Sequence, residues 1–310
     1  MTVRALCVIK NEADVIEHSL MAAGNWCDEI HVLDNGSEDG SWERVLELAS
    51  SHPQIIPFGR DIRPFQNSIR AQVYRAVAPA ARPGDWWCRL DADEFYVDDP
   101  RQFLAKIPVD SFSVWSTSLS YYFTDLDEAR FAEDPGAFAD DVPPGEKCRF
   151  YLNHWSEPRF FRHDPGVRWT DRHGGYPAAL WSRPPASDRI LLKHFAYRSP
   201  AQIQRRLDDR RQSVDFSHEA VTGWAGAVER IRSGGGGFTG SPAASGTAPA
   251  TWRDRIVAAS ALDYDAHDGQ YVINRSLMPP LPTPVGPAAR WRARARGIVG
   301  RIRSVPSLGS

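Results

Sequence analysis

The sequence predicts an α/β fold on a mainly parallel sheet, with antiparallel additions in its second half. Three observations carry this. In residues 3–98, short apolar runs of strand length alternate with stretches whose apolar residues recur every three or four positions, the pattern of βαβ units. Polar loops rich in Asp, Asn, Gly and Ser follow these runs, where the carboxyl ends of parallel strands would lie. Beyond Pro100 the runs mix aromatic residues with Ser and Thr, which suits a mixed or antiparallel addition.

Residues 3–9 are almost continuously apolar, as in a parallel strand covered on both faces. Asn11 and Glu12 stand at its carboxyl end. Ile16, Leu20 and Ala23 place a helix over 14–23, and residues 29–33 form a second strand. Loop 34–41 leads into a helix with Trp42, Val45, Leu46 and Ala49 on one face. Residues 54–58 form a third strand, which Pro57 assigns to an edge or a strand end. Ile69, Val73 and Val77 mark a helix over 66–80, ahead of a fourth strand that starts at Trp86 and runs into Asp91, Asp93 and Glu94.

Residues 112–123, 148–152, 159–162 and 190–195 read as later strands. Residues 124–144, acidic and containing Pro and Gly, read as a surface insertion. Residues 167–176 mix polar and aromatic side chains, which suits a hydroxylated ligand. Ser199 as a cap and Pro200 at the first helical position start a helix whose N-terminus can hold phosphate. A further helix is expected over 251–262.

The 310 residues carry a formal net charge of -2, which argues against a nucleic-acid binder that works through a global basic field. Cys7, Cys27, Cys88 and Cys148 are too scattered for a metal motif or a disulfide scaffold, so a reducing compartment is expected. With neither a signal peptide nor a bilayer-spanning run, the expectation is a cytoplasmic protein. Within 288–304, Arg290, Arg292, Arg294, Arg296, Arg301 and Arg303 accompany Trp291, Ala295, Ile298 and Ile302 at helical spacing. Such a segment is either a peripheral contact for an anionic membrane or a solvated Arg-rich tail.

Alternate residues of an extended segment point the same way, so Asp91 and Asp93 can share one hard cation; the other reading is an acidic loop capping the next helix. Asp34 or Asp39 can accept from a nucleoside ring nitrogen or a ribose hydroxyl, or can simply belong to an Asn-Gly turn with its cap. His194, alone in an apolar strand, ordinarily reads as a core residue.

Taken in order, these pieces resemble family 2 type glycosyltransferases of the GT-A fold, a Rossmann-type nucleotide-binding sheet. The matching residues are Val8-Ile9-Lys10-Asn11-Glu12, Asp28-Glu29-Ile30, Asp34-Asn35-Gly36-Ser37-Glu38-Asp39-Gly40, Phe65, Arg70, Gly84-Asp85-Trp86 and Leu90-Asp91-Ala92-Asp93-Glu94-Phe95. Phe161-Arg162, Gly166-Val167-Arg168-Trp169, His173, His194-Phe195 and Tyr197-Arg198-Ser199 continue the match, which covers roughly residues 3–214. The resemblance implies a DxD motif in which Asp91 and Asp93, joined by His194, hold Mn²⁺ or Mg²⁺ against the diphosphate of a nucleotide-sugar. A divalent ion there would neutralise the leaving group as a Lewis acid. Asn11, Glu12, Asp34, Asp39, Arg70 and Asp91 would meet the donor nucleotide. The base for the acceptor hydroxyl would be Asp171, His173 or Glu157, in that order, because Gly174 and Gly175 stand where many relatives place a Glu.

The expected organisation is a transferase domain over 1–232, with a nucleotide-binding half near 1–98 and an acceptor half near 99–232. A Gly/Ser/Pro/Ala linker at 233–250 and a C-terminal extension with a basic tail at 251–310 follow. The expected activity is metal-dependent transfer of a hexosyl group from a UDP- or GDP-type donor to a carbohydrate or other hydroxyl acceptor, with inversion. A nucleotidyltransferase or other metal-dependent phosphate enzyme would be expected to carry a Gly-rich loop after the first strand, and Lys10-Asn11-Glu12-Ala13 has no glycine. A non-catalytic binder of glycans or membranes, acting through Trp169, Trp181 and the basic tail, leaves the acidic triplet unexplained.

Overall fold

A computed structural model describes residues 1–224, 226–234 and 250–283. Its strands are β1 (Val3–Ile9), β2 (Glu29–Asp34), β3 (Ile55–Arg60), β4 (Trp86–Leu90), β5 (Glu94–Tyr96), β6 (Ser113–Tyr122), β7 (Phe150–Trp155), β8 (Pro158–Arg162), β9 (Pro185–His194) and β10 (Asp263–Tyr264). The helices are α1 (Ile16–Gly24), α2 (Ser41–Ser51), α3 (Arg70–Val77), α4 (Pro100–Ala105), α5 (Asp125–Glu133), α6 (Pro144–Lys147), α7 (Pro200–Arg211) and α8 (Ala227–Arg232).

The strands form one sheet in the order β10-β7-β6-β8-β4-β1-β2-β3, with β9 set against β5 and β6. β4, β1, β2 and β3 are parallel, as the alternation of apolar runs and helices requires. β3 ends the order, in keeping with Pro57. β7, β8 and β10 add antiparallel pairings, so the sheet is α/β and mixed in its second half. Every residue of β1 is buried. Val3, Ala5, Cys7 and Ile9 enter one core with Ile16 and Leu20, while Leu6 and Val8 enter a second with Tyr74, Trp87 and Trp169. That two-sided burial is why the run lacks alternation.

Some expected elements take a different form. The helix over 66–80 is divided into a 3₁₀ turn at Asn67–Ile69, α3, and a second 3₁₀ turn at Ala78–Ala80 where Pro79 interrupts the ladder. The helix expected over 251–262 is two short 3₁₀ turns, Trp252–Arg255 and Ala259–Ala261, separated by extended residues. Residues 124–144 contain α5, whose Thr124–Asp127 capping box fixes its start, and a turn that sets Phe138 edge-to-face against Phe123. The linker expected at 233–250 falls, apart from residues 233, 234 and 250, outside the described residues, as does the basic segment 288–304. All four cysteines are buried and free. Among the described residues no helix is long and apolar enough to cross a membrane.

Three features of this topology assemble the site. β4 ends at Leu90, so the turn 91–93 leaves from the middle of the sheet. β5 pairs antiparallel with β9, which sets Glu94 opposite His194. β8 runs antiparallel between β4 and β6, pairing Phe160 with Cys88 and carrying Arg159 to the carboxyl end of β4.

Candidate active site

A cleft of about 560 Å³ opens at the carboxyl ends of β1 and β4. Parallel sheets bind ligands at this edge because the strands end there and the loops diverge. Val8 to Glu12 and Asp91 to Asp93 form its floor; Trp155, Glu157 and Arg159 of the β7–β8 hairpin, with Tyr176, form one wall; Arg206, Asp209 and Arg210 of α7 form another.

Arg159 is the centre of the first charged group. Its Nη1 donates to Asp91 Oδ2 at 2.8 Å, and its Nη2 donates to Glu157 Oε1 at 2.5 Å and also to Glu94. Asp91 further accepts from Arg70, and Arg89 lies 3.6 Å away. Burial opposes ionisation of Asp91, but Arg70, Arg89 and Arg159 outweigh it and hold the carboxyl well below its usual range. Glu157 is likewise pulled down to about 2 against its burial, by Arg159 and Arg89, and it accepts from the Tyr176 hydroxyl at 2.5 Å. Glu94 goes the other way. It is 2% exposed, and burial raises it to about 8.

The second group lies around Asp93. His194 Nε2 stands 3.5 Å from Asp93 Oδ2, and Arg206 Nη1 stands 3.4 Å from the same oxygen. Burial works against charge on both partners, yet the pairing holds Asp93 below and His194 above their usual values. Glu12 completes the group, 2.6 Å from Arg198 and 3.5 Å from Arg206, with burial raising it to about 7.

The remaining expected residues separate into those inside and those outside the cleft. Asn11, Glu12, Arg70, Asp91, Asp93, Glu157 and His194 line it. Asp34 does not: fully buried, it accepts from the backbone N–H groups of Gly36 and Ser37 and from Arg60 Nε at 2.7 Å. Asp39 accepts from Ala13 N–H and pairs with Arg205 at 2.9 Å. Both hold the loops that follow β1 and β2. Asp171 is exposed and pairs with Arg75 at 3.0 Å, and His173 Nδ1 accepts from the Thr170 N–H; neither lines the cleft. Gly174 has φ 65°, a left-handed backbone that favours glycine, and Gly175 beside it packs against Arg89. Ser199 caps α7 by accepting from Gln202 N–H, as its sequence predicts.

None of Arg89, Arg159, Arg206 and Trp155 is named as a site residue from the sequence, and Tyr176 is reached only as part of the stretch 167–176. A signal for Arg89 was present: it is a cation inside the otherwise apolar strand β4, where a buried charge needs a partner. Arg206 and Arg210 also sit one helical turn apart on α7.

One set of carboxylates among the described residues can hold a metal ion: Asp91, Glu94 and Glu157, with ligand oxygens within 4.8 Å of one another. Hard oxygen donors of this kind suit Mn²⁺ or Mg²⁺. Arg159, however, already bonds all three, and Asp91 carries two further guanidinium neighbours. The expected ligands Asp91, Asp93 and His194 do not form such a group among the described residues. Turn 91–93 sends Asp91 toward the arginines and Asp93 toward His194 and Arg206. A divalent ion therefore does not fit beside the resident guanidinium groups in this arrangement.

No family model and no curated protein matches the chain. Among solved structures it is similar to the mannosyltransferase PcManGT from Pyrobaculum calidifontis in complex with GDP-Man and Mn²⁺, at 16% identity over 68% of this chain and 62% of that one, with a TM-score of 0.35. It is also similar to S. aureus TarS 1-349, at 10% identity over 69% and 66% with a TM-score of 0.33. GalNAc-T7 with UDP, GalNAc and Mn²⁺ gives 17% identity over 40% and 24%, with a TM-score of 0.29. The chain spans less than two thirds of each of these proteins. Overlap of this size leaves the reading of the site to its own geometry.

Proposed function

We propose that the chain is a glycosyltransferase that moves a sugar from a UDP- or GDP-type donor to a hydroxyl acceptor, with inversion. The observation that carries this is the cleft itself: at the carboxyl edge of a parallel sheet, arginines on three sides face a hollow sized for a nucleotide-sugar, and an ionised carboxylate, Glu157, stands on its wall. The donor diphosphate lies among the arginines. Glu157 takes the acceptor proton, because it alone of the three expected bases lines the cleft. With Arg159, Arg89 and Tyr176 all engaged it is a weak base, so the entering acceptor has to take over one of those contacts. Trp155, half exposed at the cleft and donating its indole N–H to Glu157 at 3.2 Å, offers a sugar ring an aromatic face. A reading with Mn²⁺ or Mg²⁺ on Asp91, Glu94 and Glu157 would need Arg159 displaced and a base other than Glu157. The basic segment 288–304 belongs to the same proposal as a contact for anionic membrane surfaces.

The test incubates the purified chain with a panel of UDP- and GDP-sugars, with and without Mn²⁺, and follows release of the nucleoside diphosphate. Release from one donor supports the reading. Release from none, together with no nucleotide binding, overturns it.

A further inference from the structure

We propose that the nucleoside diphosphate is gripped by Arg70 and Arg89, with Arg159 fixing the carboxylates behind them, in place of a divalent ion, so that it binds to this chain with no metal present. The inference rests on the reading above and deepens it.

The decisive residue is Arg70. It opens α3, is 2% exposed and borders the cleft. One nitrogen, Nη2, donates to Asp91. Its Nε and Nη1 are buried with no hydrogen-bond partner among the described residues. A guanidinium so placed has donor capacity that nothing in the described protein uses, and its planar fork matches the oxygens of a phosphate. Arg89 supports it from β4: its guanidinium lies 4.7 Å from the centre of the Tyr176 ring, and its Nε is also buried without a partner. Aromatic packing holds this cation in place while its Nη1 donates to Glu157 at 3.4 Å and its Nη2 lies 3.6 Å from Asp91. Arg159 fixes the carboxylates behind them, so Asp91 serves as the counter-ion that orients the arginines.

A divalent ion in the same place would have to compete for Asp91 with three guanidinium groups, and Arg70 pairs with no other carboxylate among the described residues. When the C1–O bond to the diphosphate breaks, the electron pair goes to the diphosphate oxygen. The arginine N–H groups stabilise that charge while the acceptor oxygen bonds to C1 and its proton passes to Glu157. The step balances without a Lewis acid.

Isothermal titration of the full chain with UDP and with GDP, in EDTA and then in excess Mn²⁺, tests this. The expected result is binding of at least one nucleotide in EDTA with an affinity close to that in Mn²⁺. For that nucleotide, R70M should lose about tenfold or more in EDTA, and R70K, which keeps the charge but not the fork, should recover only part of it. Mn²⁺ alone, followed by its electron paramagnetic resonance signal, should remain free in the presence of the nucleotide-free chain. Binding that appears only with Mn²⁺, or a folded R70M that binds like wild type in EDTA, overturns the inference and leaves the transferase reading intact. Binding in neither condition overturns both.

Discussion

Asn11 donates its side-chain amide to both carboxylate oxygens of Asp209, at 3.1 and 2.8 Å, across 198 residues of chain. The same residue has φ 54°, donates its backbone N–H to Ser37 Oγ, and accepts from Glu38 N–H. It thus ties the end of β1 to the next loop and to α7, and Asn tolerates this left-handed backbone better than most residues. We expect Asn11→Ala to lower stability by about 1–3 kcal/mol, since it combines backbone strain with lost hydrogen bonds. Asn11→Gly should cost less, because glycine is unstrained there. Urea denaturation of both variants checks this, and equal losses would show that the left-handed backbone contributes nothing.

Arg159 pairs with the ionised Asp91 and Glu157 and also bonds Glu94, and leaving the two buried charges without it is costly. Arg159→Met should therefore destabilise the fold by about 3–5 kcal/mol. The midpoint of chemical denaturation reads this directly, and a loss no larger than that of an ordinary surface change would refute the central place given to Arg159.

Glu94 sets a pH dependence of stability. Its carboxyl rises from its usual 4.5 to about 8 on folding, chiefly through burial. Between those values the folded chain keeps a proton that the unfolded chain has released. The contribution is thus full below 4.5 and is lost as pH rises through about 8. Asp91, held below its usual 3.8, acts in the opposite sense and loses its contribution only on further acidification. Glu94→Gln cannot titrate, so its melting temperature should vary less with pH across the Glu94 window than that of wild type. Curves of equal slope would assign the proton elsewhere.

Glu157→Gln removes charge at nearly constant shape. If Glu157 accepts the acceptor proton, sugar transfer should fall by about 10²–10⁴-fold while UDP or GDP still binds. Kinetics paired with a nucleotide titration separates this from general damage, and wild-type turnover would return the search for the base to other groups in the cleft.

Asp34 distinguishes a structural carboxylate from a ligand-binding one. Buried beneath its own loop, it accepts two backbone N–H groups and pairs with Arg60. Asp34→Ala should lower the melting temperature, reflecting a cost of about 1–3 kcal/mol for donors left without an acceptor. A variant that melts like wild type but loses nucleotide affinity would restore the nucleoside role that the sequence suggested.

The sequence alone determined the parallel half of this protein. The runs ending at Ile9, Leu33 and Leu90 read as strands, the first of them buried on two faces, the intervening periodicity reads as crossover helices, and the acidic turn 91–93 follows where the fourth strand leaves the sheet. These are local facts, written in residue spacing. Only the tertiary structure decided which charge meets which. Arg159 reaches Asp91 from 68 residues away because β8 inserts between β4 and β6, and Arg198 reaches Asp14 from 184 residues away. No periodicity records such a pairing. For the same reason Asp34 and Asp39, read as nucleoside contacts, are held by neighbouring backbone and arginine groups, and Asp171 lies outside the cleft that Glu157 lines. Strand order, set by burial over the whole chain, chooses the partners of the polar residues that spacing can only name.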